Sequence, residues 1–111
     1  MNGFVEGQLL RIFVGERDMW HGRPLYAAIV EVLRDAGVAG ASVFRGIEGF
    51  GAHHEIRVAQ IFRFRGDLPI LIEVVDTEAS IAKLIPQLDA MLAEGTMTLE
   101  RVEYRRFLPP K

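Results

Sequence analysis

The feature that most limits what this chain can fold into is a rhyme between its two halves. Each half has a β-rich run, an apolar-faced helix, a glycine and a second β-rich run. LRDAGVAGASVFR in the first half thus stands beside MLAEGTMTLERVE in the second. Leu9 to Val14 (LLRIFV) reads as a strand ending at Gly15. After the break GERDMWHGR, Pro24 opens a helix, a place proline favours because its missing N–H has no partner there anyway. Leu25, Ile29, Val32, Leu33 and Ala36 share one face of that helix, and Gly37 supplies a left-handed stop. Ala41 to Ile47 is the second strand, and Pro69 to Val75, rich in branched side chains, is the third. Asp76 or Thr77 caps the second helix, whose buried stripe is Ile81, Leu84, Ile85, Leu88, Met91 and Leu92. Pro86 removes one backbone donor and predicts a kink, and Gly95 is expected to end the helix. Thr98 to Phe107 is the last strand, and the LPPK tail is expected to fray.

Two such units sharing one antiparallel sheet make an α+β fold, a ferredoxin-like βαββαβ sandwich. Right-handed crossovers put both helices on one face. The insert between the second and third strands contains Val58 to Arg65, which alternates and reads as a ribbon arm, turned at Gly66-Asp67. A length of 111 residues fits a single domain over 1–111, with its core over 8–107.

The sheet then has a face without helices. Leu9, Arg11 and Phe13 fall on it from the first strand, and Leu71, Glu73 and Val75 from the third. A solvated face carries mostly polar residues; this one is apolar with Arg11 and Glu73 placed as ion-pair candidates. Such a patch predicts contact with another subunit, the competing arrangement being the ribbon arm folded back over it. Trp20 joins this interface set. Within GERDMWHGR it stands among Glu16, Arg17, Asp18, His21 and Arg23, packed at a subunit contact or serving as an aromatic platform for a ligand base.

Charge and composition exclude several classes. A formal charge of −2 and a pI near 5.9 do not suit non-specific nucleic-acid binding, which needs a basic surface. The absence of cysteine excludes a disulfide framework, a thiolate zinc site and a thiol nucleophile. No apolar run approaches the roughly 20 residues of a membrane span, and no basic-then-apolar leader opens the chain, so a cytoplasmic protein without direct membrane insertion is expected. No triad or purposeful carboxylate pair stands out, so no enzyme activity is expected.

The densest chemical signal is RGIEGFGAHHE. Gly46, Gly49 and Gly51 spell a dinucleotide fingerprint in reverse. A true fingerprint opens a helix whose free amides hold phosphate, and nothing after Gly51 reads as helical. Two roles stay open: glycines that bend a strand into a loop, and glycines that also let a ligand approach the backbone. His53 and His54 point to opposite faces if they lie on a strand. In a loop, with Glu55 or Glu48, they would suit zinc or copper, against the plainer role of solvated loop residues. No metal site is assigned.

GER-D-W-HG-PLYAAIVEVLRDAGVAGASVFRGIEGFG, then LPILIEVVDTE and MTLERVEY, occur in order over about residues 8 to 104. This resembles the PII-like proteins grouped as domain of unknown function 190. More distantly, GASVFRGIEGFG and LPILIEVVD are similar to segments of the PII nitrogen-signalling proteins. The resemblance implies a PII-like homotrimer with an adenine nucleotide in the clefts between subunits. It also implies an effector loop acting on a partner such as a transporter or enzyme. Gly49, Phe50 and Gly51 then fall at the loop base, and Ala52 to Gly66, with His53, His54 and Glu55, form the loop. The implied ligand-binding set is Arg45, Gly46, Gly49, Phe50, Gly51, Arg57, Arg105 and Arg106. The chain departs from PII proteins at AEGTMTLE, which has one glycine and no basic residue where they carry a second glycine-rich turn with aspartate and lysine. Two other functions stay open: a trimeric metal-binding protein similar to the copper-tolerance CutA proteins, resting on His53, His54 and Glu55, and a ligand-free adaptor that docks through its ribbon arm.

Overall fold

The first β-run extends over eleven residues in the computed structural model of the protein, which describes residues 3–51, 56–58 and 67–109. It forms β1 (Val5–Gly15), followed by a ribbon of β2 (Met19–Trp20) and β3 (Arg23–Pro24), then α1 (Leu25–Asp35) and β4 (Ala41–Arg45). A second ribbon pairs β5 (Glu48–Gly49) with β6 (Arg57–Val58). The chain continues through β7 (Pro69–Asp76), α2 (Glu78–Met91) and β8 (Thr96–Tyr104). The four long strands make one sheet in the order β4-β7-β1-β8, with every neighbouring pair antiparallel. With two helices packed on one face, this is the ferredoxin-like arrangement expected from the rhyme.

Alternation decides the core. Leu10, Ile12 and Val14 of β1 and Ile70, Ile72 and Val74 of β7 are buried against Leu25, Ala28, Ile29 and Leu33 of α1 and Ile81, Leu84, Leu88 and Met91 of α2. Burying each such branched side chain contributes about 1.5–3 kcal/mol. β1 reaches back to Val5, four residues before the local pattern starts, because β8 pairs with it from Val5 to Phe13 while β7 covers only Gln8 to Gly15. The extension is held by a neighbouring strand and not by local propensity.

Both helix ends show their chemistry. Pro24 is the residue before the helix and not in its first turn, at φ −57° and ψ 128°, and the Leu25 N–H donates to Asp18 O at 2.7 Å. Ala28 takes the buried place expected of Ala36, which is the exposed C-cap, and Gly37 follows at φ +82°. Thr77 caps α2, its hydroxyl accepting from Ser80 N at 3.1 Å, with Glu78 in the first turn where negative charge suits the helix dipole. The helix continues through Pro86 and ends at Met91, before Gly95. Gly95 serves β8 instead of the helix: at φ +121° its missing Cβ would lie 2.6 Å from Phe13 O. Only glycine lets the chain enter β8 so close to β1.

β4 stops at Arg45, two residues early: Gly46 N still donates in register to Pro69 O at 2.7 Å, but Pro69 has no N–H to return the bond. β8 runs from Thr96 to Tyr104 in place of Thr98 to Phe107. Of the expected ribbon arm, only Val58 lies within the described residues, in β6, and so the greater part of that arm falls outside them.

Candidate functional site

One end of the sheet carries a groove of about 760 Å³. The end of β1, the start of β7, the glycine segment after β4 and the turn into β8 all contribute to it. Phe13 stands opposite Leu71, and Leu71 opposite Phe44, so these three side chains share the helix-free face where the groove opens. Phe50 and Pro69 complete the apolar wall. The charged lining residues are Asp18, Asp67 and Glu94, with Arg45 as the one cation among the described lining residues.

The three glycines of the segment act differently from one another. A Cβ on Gly46 would lie 2.7 Å from the Pro69 ring, and one on Gly49 would lie 3.0 Å from it, so both are packing glycines set against Pro69. Neither has a positive φ. A Cβ on Gly51, which lines the groove, would meet nothing within 4 Å among the described residues. Bending and ligand access therefore divide among positions.

The turn after β1 braces the groove. Glu16 N donates to Leu68 O at 2.8 Å, and the Asp18 carboxylate accepts from Gly15 N at 2.9 Å. The Asp67 carboxylate accepts from Arg17 N at 3.2 Å. The Glu16 carboxylate crosses the start of β7 to reach Arg45, with Oε2 2.6 Å from the guanidinium. Its side chain is 13% exposed, and Oε1 is buried without a hydrogen-bond partner among the described residues. Sequence reasoning did not pair Glu16 with Arg45, because 29 positions and two strand connections separate them (45 − 16). Phe44, Pro69 and Glu94 were missed for the same reason, since each reaches the groove through sheet register.

On the helix-free face, Leu9, Arg11 and Phe13 lie opposite Val75, Glu73 and Leu71, as the interface set requires. Arg11 Nε donates to Glu73 Oε2 at 2.8 Å, and the same guanidinium also binds Glu100 on β8. The hydrogen bond to Glu73 holds the Arg11 pKa above its ordinary value, with Glu100 adding to it, so Arg11 stays charged. Glu100 is a third member that the sequence did not disclose. Trp20 packs against its own chain's core and stacks on the His21 ring at 3.9 Å.

The implied ligand set does not converge within one chain. Arg45, Gly46, Gly49, Phe50 and Gly51 line the groove. Arg105 and Arg106 follow β8 at the far end of the sheet, where Tyr104 pairs with Val5. From Phe13 to Val5 the strand rise gives roughly 27 Å. There Arg105 lies over the Phe107 ring at 5.4 Å, and Arg106 approaches Asp76 at 3.9 Å. The Arg57 backbone pairs with Gly49 in the short ribbon. His53, His54 and Glu55 lie outside the described residues, among which no group of three His, Cys, Asp or Glu side chains is placed to hold a metal. Among the described residues no helix is long and apolar enough to cross a membrane.

Known proteins share this frame. The chain is 37% identical over 99 residues to the UPF0166 protein of Aquifex aeolicus (strain VF5), covering 89% of this chain and 93% of that protein. CPII, a nitrogen regulatory PII-like protein from Thiomonas intermedia K12 solved bound to ADP, AMP and bicarbonate, matches at a TM-score of 0.67 and 18% identity. That match covers 93% of this chain and 92% of CPII. A Thermus thermophilus protein described as a putative PII-like signaling protein matches at 0.68 and 17% identity over 92% of each chain. At these identities the likeness is one of fold. Residues 7–104, which span nearly the whole sheet and both helices, match the family DUF190, described as Uncharacterized ACR, and the chain belongs to that family.

Proposed function

We propose that this chain is a PII-like regulatory protein that binds a small anionic effector, an adenine nucleotide, between copies of itself and acts through its loop on a partner protein. The carrying observation is the position of the groove: it opens where β4 gives way to the glycine segment, at the base of the loop that would report occupancy. The family and the fold support this reading, since CPII, of the same fold, was solved with ADP and AMP. The split ligand set also fits it. Arg105 and Arg106 cannot reach the groove of their own chain across roughly 27 Å of strand, so a complete site needs the groove of one copy and the arginine pair of another. Such a head-to-tail contact closes a ring, and a trimer is the ring we assign.

The helix-free face, with Leu9, Phe13, Leu71 and Val75 around the Arg11 network, would pack at the centre of that ring. Residues 8–107 form its single folded core in this reading. A transporter or an enzyme is the expected kind of target. Calorimetric titration of the purified chain with AMP, ADP and ATP, beside light scattering for mass, tests it. Binding by a trimer is the expected result, and no heat with any adenine nucleotide removes the effector reading.

A further inference from the structure

We infer that Glu16 sets the charge class of ligand that the groove accepts, by holding Arg45 as a neutralised pair and so disfavouring additional phosphates. This rests on the adenine-nucleotide reading and goes one step past it. Arg45 is the one cation among the described lining residues, and its guanidinium is bound at 2.6 Å by Glu16. The pair therefore offers a ligand little net positive charge of its own, whatever Arg105 and Arg106 of another copy bring to the complete site. Asp18, Asp67 and Glu94 line the same groove. Charges closer than roughly 10 Å stay largely unscreened in ordinary salt, so a phosphate beside the pair feels both of its members. Each phosphate beyond the first brings more negative charge into that field. The apolar wall of Phe13, Phe44 and Phe50 instead suits the uncharged base and sugar.

Glu16 is also unlike a carboxylate placed only to hold a fold together. One oxygen serves Arg45, while Oε1 is buried and without a partner among the described residues. A buried acceptor left unsatisfied costs stability, and such atoms gather where a site has a use for them. The use assigned here is to set the electrostatics of Arg45. The cost of the orphaned oxygen is then offset by ligand selection.

Adenosine, AMP, ADP and ATP are titrated against the native protein and against Glu16→Gln in EDTA, so that no divalent cation masks phosphate charge. The native ATP-to-AMP affinity ratio is the reference. Glu16→Gln frees the charge of Arg45 and raises the ATP-to-AMP affinity ratio by about tenfold, a one-charge effect at close range. Arg45→Gln leaves the Glu16 charge uncompensated and moves the ratio the other way, which keeps the test decisive should Glu16→Gln fold poorly. A ratio that falls in Glu16→Gln overturns the inference and leaves the effector reading standing. The same holds for a ratio that neither substitution moves, since a purely structural clasp would alter stability and not the ratio. No binding of any adenine nucleotide, by native protein or variant, removes both.

Discussion

Two carboxylates stand at opposite ends of the same sheet, and their surroundings differ. Asp76, at the end of β7 and 5% exposed, accepts from Thr77 N at 2.7 Å and from Ala39 N at 3.2 Å, with Arg106 at 3.9 Å. Both of its oxygens have partners. It ties the start of α2 to the connection between α1 and β4, and to the segment after β8. Glu16, at the groove, serves Arg45 with one oxygen and leaves the other buried and unsatisfied among the described residues. The glycines repeat the contrast. At the Asp76 end, a Cβ on Gly7 would lie 2.5 Å from Asp76 O and 2.4 Å from the Tyr104 ring, whereas one on Gly51 at the groove would meet nothing within 4 Å among the described residues. At one end the glycine is tightly packed and the acid fully bonded, with a cleft beside them lined by Glu6, Gln8 and Arg101; at the other the acid keeps an acceptor without a partner among the described residues. That is the asymmetry of a scaffold end and a working end.

The largest effect is therefore expected at the packed end. Gly7→Ala sets its methyl group against the Asp76 carbonyl and the half-buried Tyr104 ring, and should destabilise by about 3 kcal/mol in urea unfolding. Gly51→Ala, measured beside it, should stay within about 0.5 kcal/mol of the native protein. Equal losses from both would mean that the two ends are not packed differently. Next comes Asp76→Asn. The amide keeps one acceptor oxygen but turns an NH2 group towards a backbone N–H that was donating to a carboxylate. A loss of about 2 kcal/mol is expected, from a buried donor left without an acceptor.

The same contrast explains what could be read from the sequence. Alternation in LLRIFV and PILIEVV assigned each core and face residue of β1 and β7 correctly, because period-two burial is a local property. The helix face from Leu25 to Leu33 was legible for the same reason, as was a cap at Asp76 or Thr77, of which Thr77 serves. What escaped was set by neighbours. Gly95 looked like a helix stop, but its real constraint is the 2.6 Å approach to Phe13 O, visible only once β8 lies beside β1. The glycines of RGIEGFG looked like hinges, yet two of them are held by the ring of Pro69, 20 or more positions away (69 − 46 and 69 − 49). The Glu16–Arg45 pair and the third member of the Arg11 network, Glu100, are likewise products of register. The groove as a place was legible from its glycines, and its charge was not.

Of the two acids, the one at the working end should show the smaller effect. Glu16→Gln keeps an oxygen for Arg45 and replaces the orphaned acceptor with an NH2 group of the same size. No existing hydrogen bond to a backbone donor is lost, in contrast to Asp76→Asn, where two backbone N–H groups depend on the carboxylate. The pair it weakens is half exposed on the arginine side, at 54%, so solvent screens much of its attraction. A change within about 1 kcal/mol is expected, measured by urea unfolding under the conditions used for Asp76→Asn. If Glu16→Gln costs as much as Asp76→Asn, Glu16 is a second structural acid and the distinction between the two ends fails. If it costs little, the carboxylate is dispensable to the fold, and its place beside Arg45 has to be explained by what the groove binds.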